Sequence, residues 1–215
     1  LIVANGLGLD NPYLKGYKNV LYLGDKIPAT MLGVESGHTD DELEGLNPHI
    51  WLSFDFLINY IVPSIRDELI KVDKVNAQIY KANAQTLINS LSSLSKKFDS
   101  LLSGYKNSVV VLDHPSYFYL FRKYDILILS VEEGHDKQPT ISHIKDIIAQ
   151  SKKSNLLGIF VGPQFNRSAI ETISKELKRR YYVLDPLGVD SQNISELFNK
   201  AYSVIKEAIN GASEK

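Results

Sequence analysis

The chain of 215 residues contains no cysteine, one methionine and one tryptophan. Without cysteine there can be no disulfide, no thiolate-bound zinc and no iron–sulfur cluster. That lack fits an oxidising compartment without requiring one. No apolar run is long enough to span a bilayer, and no leader of the export type is visible. Charge of one sign is not in excess: the formal net charge is -1, so nothing draws the whole chain to nucleic acid or to an anionic membrane. Also missing are a His-Glu-x-x-His helix, a nucleophile elbow and a glycine-rich phosphate loop, which removes the usual anchors of hydrolase and nucleotide chemistry. Neither glycine nor proline occurs between Ser64 and Ser103.

What remains is 44% hydrophobic and 23% charged, the balance of an ordinary globular protein with enough chain for two small lobes or one large domain. Leu1 opens inside an apolar segment and is not preceded by methionine, so the natural sequence is expected to begin upstream, together with any export signal or lipid attachment site. Residues 1–4 read as a buried strand and 19–23 as a second. Residues 33–47 are polar and acidic, with Glu35, Asp40, Asp41, Glu42 and Glu44, and are expected to be an exposed loop. Val72, Val75, Ile79, Leu87, Leu91, Leu94, Phe98 and Leu101 recur mostly at spacings of three and four. This predicts one helix over 72–103, about 45–50 Å long, stopped near Gly104. Beyond it, short β-branched runs at 108–112, 126–131, 156–161 and 181–184 alternate with helical patterns at 116–123, 142–152, 168–179 and 191–209. Such alternation predicts a parallel sheet covered on both faces. The fold class is therefore α/β: a partial N-terminal lobe over 1–70, a long rigid linker helix over 71–104 and a complete C-terminal lobe over 105–215.

Two residues stand out by position. His114 follows the strand at 108–112 and precedes Pro115, which suits the start of a helix. Asp185 follows the strand at 181–184 and precedes Pro186. Both belong to the carboxyl edge of one sheet, where open α/β folds bind ligands, and an imidazole with a carboxylate can take a divalent cation. The alternative is a core histidine and a turn-capping aspartate. His49, held by Pro48 ahead of Ile50-Trp51-Leu52, is by pattern alone either a ligand or a surface histidine beside a core tryptophan.

A family resemblance bears on that choice. Asn47-Pro48-His49-Ile50-Trp51-Leu52 resembles the Asn-Pro-His-x-Trp-Leu signature of the metal-specific solute-binding proteins of ABC importers. His114-Pro115-Ser116-Tyr117-Phe118-Tyr119, continuing to Tyr124, resembles the family's His-x-x-Phe-x-Tyr segment. Val161-Gly162-Pro163-Gln164-Phe165 and Leu184-Asp185-Pro186-Leu187-Gly188 are similar to two further segments, in the same order along nearly the whole chain. The opening segment from Leu1 resembles the family's third strand. The resemblance implies two α/β lobes joined by one long helix, a metal held in the cleft between them, and delivery of the ion to a membrane permease. It implies His49 and His114 as metal ligands, with Asp185 as the candidate carboxylate. The family's first ligand histidine would lie upstream of Leu1, so the full-length protein is expected to bind zinc and this chain to bind it poorly.

A histidine at the position of His114 resembles the zinc receptors, and imidazole suits zinc where extra carboxylates suit manganese. Zinc is therefore the expected metal, with manganese or iron as alternatives. The expected setting is the periplasm or the outer face of the cell membrane, with the chain a monomer that binds no nucleic acid. Gly162 stands where the family often has a glutamate and is given no role. His38 and His135 read as parts of solvated polar loops, and His143 as a surface or packing residue of a helix. The competing classes are a metal-dependent hydrolase, for which no catalytic motif is present, and a surface adhesin, for which the tyrosines are the only hint.

Overall fold

The computed structural model describes residues 1–33, 45–132 and 139–213. Most of the acidic stretch (including Glu35, His38, Asp40, Asp41, Glu42 and Glu44) and His135 lie outside them. The chain divides into two compact units, Leu1–Lys96 and Lys97–Lys215.

In the first unit, β1 (Ile2–Ala4) pairs in parallel with β2 (Val20–Tyr22). The expected strands are there, but β1 is not the buried strand the apolar run suggests. Ala4 is buried while Leu1 and Val3 are exposed. Among the described residues β1 pairs with β2, and a two-stranded sheet cannot cover both of its faces. After β1, the Asp10 carboxylate accepts the backbone N–H groups of Asn5 and Gly6 and folds the loop back on itself. Later come α1 (Phe54–Phe56), a π-helical stretch Leu57–Ile61 and α2 (Val62–Val72). Ser53 opens this run as an N-cap, its hydroxyl accepting from the Phe56 N–H.

The long helix differs from its expectation at the start. It is α3, Ala77–Leu102, 26 residues and roughly 39 Å long, and residues 73–76 break it from α2. Asp73 is the cause. With φ -140° and ψ 82° it leaves the helix, and its carboxylate accepts from the Asn76 amide, the Asn76 N–H and the Tyr80 hydroxyl. A short acidic side chain offers the backbone an alternative to the helical ladder, and here the alternative wins. Val72, Val75 and Ile79 are accordingly exposed, whereas Leu91, Leu94, Phe98 and Leu102 carry the buried stripe.

The second unit is a four-stranded parallel sheet in the order β4-β3-β5-β6, built from β3 (Val109–Leu112), β4 (Leu127–Ser130), β5 (Leu156–Val161) and β6 (Tyr182–Val183). Between and after them run α4 (Phe118–Arg122), α5 (Ile141–Lys153), α6 (Ser168–Leu177) and α7 (Ile194–Ser213). Every residue of β3 and β5 is buried, because helices cover both faces. Val109, Val111, Ile159 and Val161 pack with Ile147 of α5 and with Ile170 and Ile173 of α6. Val110, Leu112 and Phe160 belong to the opposite face. There Phe160 stacks near Phe121 of α4 at 6.3 Å, and a side chain on Gly158 would meet Ala208 of α7. In this unit Phe98 adds edge-on contacts to Phe198 and Tyr202 of α7. The chain leaves β3 for β4 on one side and returns for β5 on the other, so the carboxyl ends of β3 and β5 flank the point where strand order reverses. Crevices at that point are where such sheets bind ligands.

Candidate metal centre

His49 is 9% exposed and caps the single helical turn Ile50–Leu52. Its orientation comes from Asn47, which is fully buried. The Asn47 Oδ1 accepts from both the His49 N–H and His49 Nδ1, each at 2.9 Å. A carbonyl oxygen can only accept, so Nδ1 carries the proton, and in the neutral form of the ring the lone pair falls at Nε2. The Asn47 N–H donates to the Gly33 carbonyl at 2.8 Å, and the Asn5 amide donates to the Pro48 carbonyl at 3.0 Å, tying the motif to the loop after β1. Trp51 lies against the imidazole with ring centroids 5.0 Å apart. Asn-Pro-His is thus a local device: proline limits the backbone, and asparagine selects the tautomer.

His114 leaves the end of β3 with its side chain 11% exposed. Its Nδ1 meets the carboxylate of Glu132, and its ring stacks on Phe165 at 5.3 Å with an interplanar angle of 22°. A carboxylate behind Nδ1 and a ring against one face fix the imidazole in orientation and tautomer, as outer partners of histidine ligands do. Beside it, the buried Asp113 accepts the Gly162 N–H at Oδ2, 2.9 Å away, joining the carboxyl ends of β3 and β5. Burial pushes the Asp113 carboxyl up, against the pull of the Gly162 and His114 N–H groups and the His114 charge. Gly162 also makes room for the stacked ring: a Cβ there would stand 2.8 Å from Phe165 Cδ2.

Asp185 sits at the same edge, after β6. Its oxygens accept the backbone N–H groups of Leu187 at 2.9 Å and Val189 at 2.7 Å, so the turn-capping role is present in the structure. Its carbonyl accepts the Tyr117 hydroxyl at 2.7 Å, which links the segment after β3 to the segment after β6. Tyr117 is fully buried, and burial followed by the Asp185 charge pushes its hydroxyl well above its ordinary value, so it remains a donor. Each oxygen of an ionised carboxylate has two lone-pair sites, so capping and metal ligation are compatible.

The structure therefore brings His114 and Asp185 to one sheet edge, while His49 belongs to the other unit. Within each unit, among the described residues, no three histidine or carboxylate side chains gather to hold an ion. His143, expected to pack or lie at the surface, is half-buried, with its Nε2 2.8 Å from the Ser130 carbonyl at the end of β4. The sequence reading gave Glu132 no role. The signal was available, since Glu132 follows a strand as His114 and Asp185 do.

Comparison with known proteins identifies the family. Residues 1–208 match the profile of the zinc-uptake complex component A, periplasmic (ZnuA) family. The chain belongs to the ZnuA family. That family comprises metal-specific solute-binding proteins of ABC importers and not enzymes, so the hydrolase alternative is set aside. A putative metal-binding protein of Thermotoga maritima is 36% identical over 211 residues, covering 97% of this chain and 74% of the relative. The manganese-binding lipoprotein MntA of Halalkalibacterium halodurans is 29% identical over 186 residues, covering 80% of this chain and 57% of that protein. Among solved structures, a crystal structure of ZnuA matches with a TM-score of 0.79 at 25% identity, covering 98% of this chain and 78% of ZnuA. The expected α/β class with parallel sheets stands in this family's fold. No helix among the described residues is long and apolar enough to cross a membrane.

Proposed function

We propose that the chain is the metal-capturing part of an extracytoplasmic receptor that hands a divalent cation, zinc in the first instance, to the permease of an ABC importer. The observation that carries the reading is the state of the two motif histidines. Each has Nδ1 directed at an oxygen acceptor, Asn47 for His49 and Glu132 for His114, and each is thereby left with Nε2 as the nitrogen suited to a metal. His49, His114 and Asp185 are the proposed ligands, each assigned from its own motif. Zinc is favoured over manganese because two neutral imidazoles dominate the set, and zinc accepts nitrogen with one carboxylate or water in a four-coordinate site. The cation is cargo, so nothing further is asked of these residues than to orient, exclude water and release.

The manganese reading has an observation of its own, the manganese-binding relative, and iron would follow the same logic of added oxygen ligands. A place at the outer face of the membrane is supported by the periplasmic family and by that lipoprotein relative. The rest of the proposal is a monomer whose long helix, with residues 71–104, links a lobe at 1–70 to one at 105–215. Equilibrium dialysis against zinc, manganese and iron, with metal content read by mass spectrometry, tests the choice of cation. In the full-length protein, His49→Ala and His114→Ala are each expected to lower zinc retention sharply. Retention unchanged in both variants would refute the assignment, and preference for manganese would move the chain to the second reading.

A further inference from the structure

His114 and Asp185 stand at one sheet edge, yet no strand ladder joins them. The sheet order is β4-β3-β5-β6, so β5 separates the strand before His114 from the strand before Asp185. Two strand spacings put those strand ends roughly 10 Å apart. Bonds to β5 secure each neighbour separately: the Gly162 N–H donates to Asp113, and the Leu184 N–H donates to the Val161 carbonyl at 2.9 Å. A connection that skips β5 is made by Tyr117. Its hydroxyl donates to the Asp185 carbonyl at 2.7 Å, across 68 positions of sequence.

Both ends of that connection are held. On the His114 side the chain makes a tight turn, with the Ser116 N–H donating to the His114 carbonyl at 2.7 Å and the Phe118 N–H to the Pro115 carbonyl at 3.3 Å. Tyr117 then caps α4, its carbonyl accepting the Phe121 N–H at 3.1 Å. Its side chain is fully buried and turns about only two torsions, so the packed ring fixes where the hydroxyl lies. On the Asp185 side the carboxylate accepts the Leu187 and Val189 N–H groups, which ties the carboxylate to its own backbone. A shift of the Asp185 carbonyl would therefore carry the carboxylate with it.

Filling the space does not require the hydroxyl. Phenylalanine would occupy nearly the same volume, and a buried hydroxyl is costly unless it is bonded. What the oxygen adds is a bond to the residue that carries the proposed carboxylate ligand. Binding sites hold tightly when their groups are in place before the ligand arrives, because less ordering remains to be done. We infer that Tyr117 is a positioning residue for the cation site: it sets the separation of His114 and Asp185 and so strengthens retention of the ion. The inference rests on the reading that both of those residues are metal ligands.

The test is a double-mutant cycle on the full-length protein, comparing the parent, Tyr117→Phe, Asp185→Ala and the double variant. Zinc affinity is read by calorimetric titration, and zinc release to a chelator by stopped flow. Tyr117→Phe should bind zinc about tenfold more weakly, as when an outer partner of a ligand is lost, and release it faster. In the Asp185→Ala background the same change should cost almost nothing more, because the separation it sets no longer matters. A residue that served only the fold would have the same effect in both backgrounds. Circular dichroism melting of the metal-free proteins checks that each variant folds, and Asp185→Asn replaces Asp185→Ala in the cycle if alanine abolishes folding or binding. Unchanged zinc affinity in Tyr117→Phe, or an equal loss in both backgrounds, would overturn the inference and leave the receptor reading standing. A parent protein that binds no zinc refutes the receptor reading, and the inference falls with it.

Discussion

Glu132 and Asn47 do the same job for different histidines, and their chemistry predicts different costs. Glu132 is partly exposed and acts on His114 through a charge-assisted contact, so Glu132→Gln should leave stability near the parent value. Zinc affinity should fall by about 10- to 100-fold, the usual scale for an outer partner of a histidine ligand, as calorimetric titration would show. Asn47 is buried and serves the His49 N–H as well as its ring. Asn47→Ala should therefore destabilise the fold by about 1–3 kcal/mol in urea unfolding, the cost of a buried donor left unmet, as well as weaken zinc binding. At this scale the sequence was legible where residue type and strand position coincide, as at His114 and Asp185. The partners were less so, because they meet their histidines through space: Glu132 is 18 positions from His114 in the chain.

At the scale of elements, the strands of the second unit were read within a residue or two, because β-branched runs buried on both faces leave an unbroken apolar signature. The helix start at Ala77 was not, because periodicity continues through Val72, Val75 and Ile79 although those side chains are exposed. What ends the pattern is one carboxylate bonding to Asn76 and Tyr80, and apolar spacing carries no trace of it. The Asn76 amide, then the Tyr80 hydroxyl, hold the Asp73 carboxyl below its ordinary value. Its folded-state pKa is thus lower than in the unfolded chain, so its contribution is fully present above the unfolded value near 4 and is lost as pH falls through the folded value. Asp73→Asn should therefore lower the melting temperature at neutral pH and flatten the acid limb of the stability–pH curve, as thermal melts from pH 7 downward would show.

For the whole molecule, the alternation of strands and helices was enough to predict the parallel sheet, and the ordered motifs were enough to predict the family. Which segments a buried hydroxyl joins emerges only once the strand order is known, since Tyr117 and Asp185 lie 68 positions apart in the sequence. If the chain captures zinc as proposed, ligand and folding are linked. Free zinc at a hundredfold excess over its dissociation constant should stabilise the native state by about 2.7 kcal/mol, a rise in melting temperature that a chelator reverses. The contact between His49 and Trp51 makes that event observable from within. Trp51 is the sole tryptophan, so the indole emission of the chain has a single source, and that source touches a proposed ligand. The protein carries its own optical reporter, and stopped-flow fluorescence could time the arrival and departure of the ion at His49 without any attached dye.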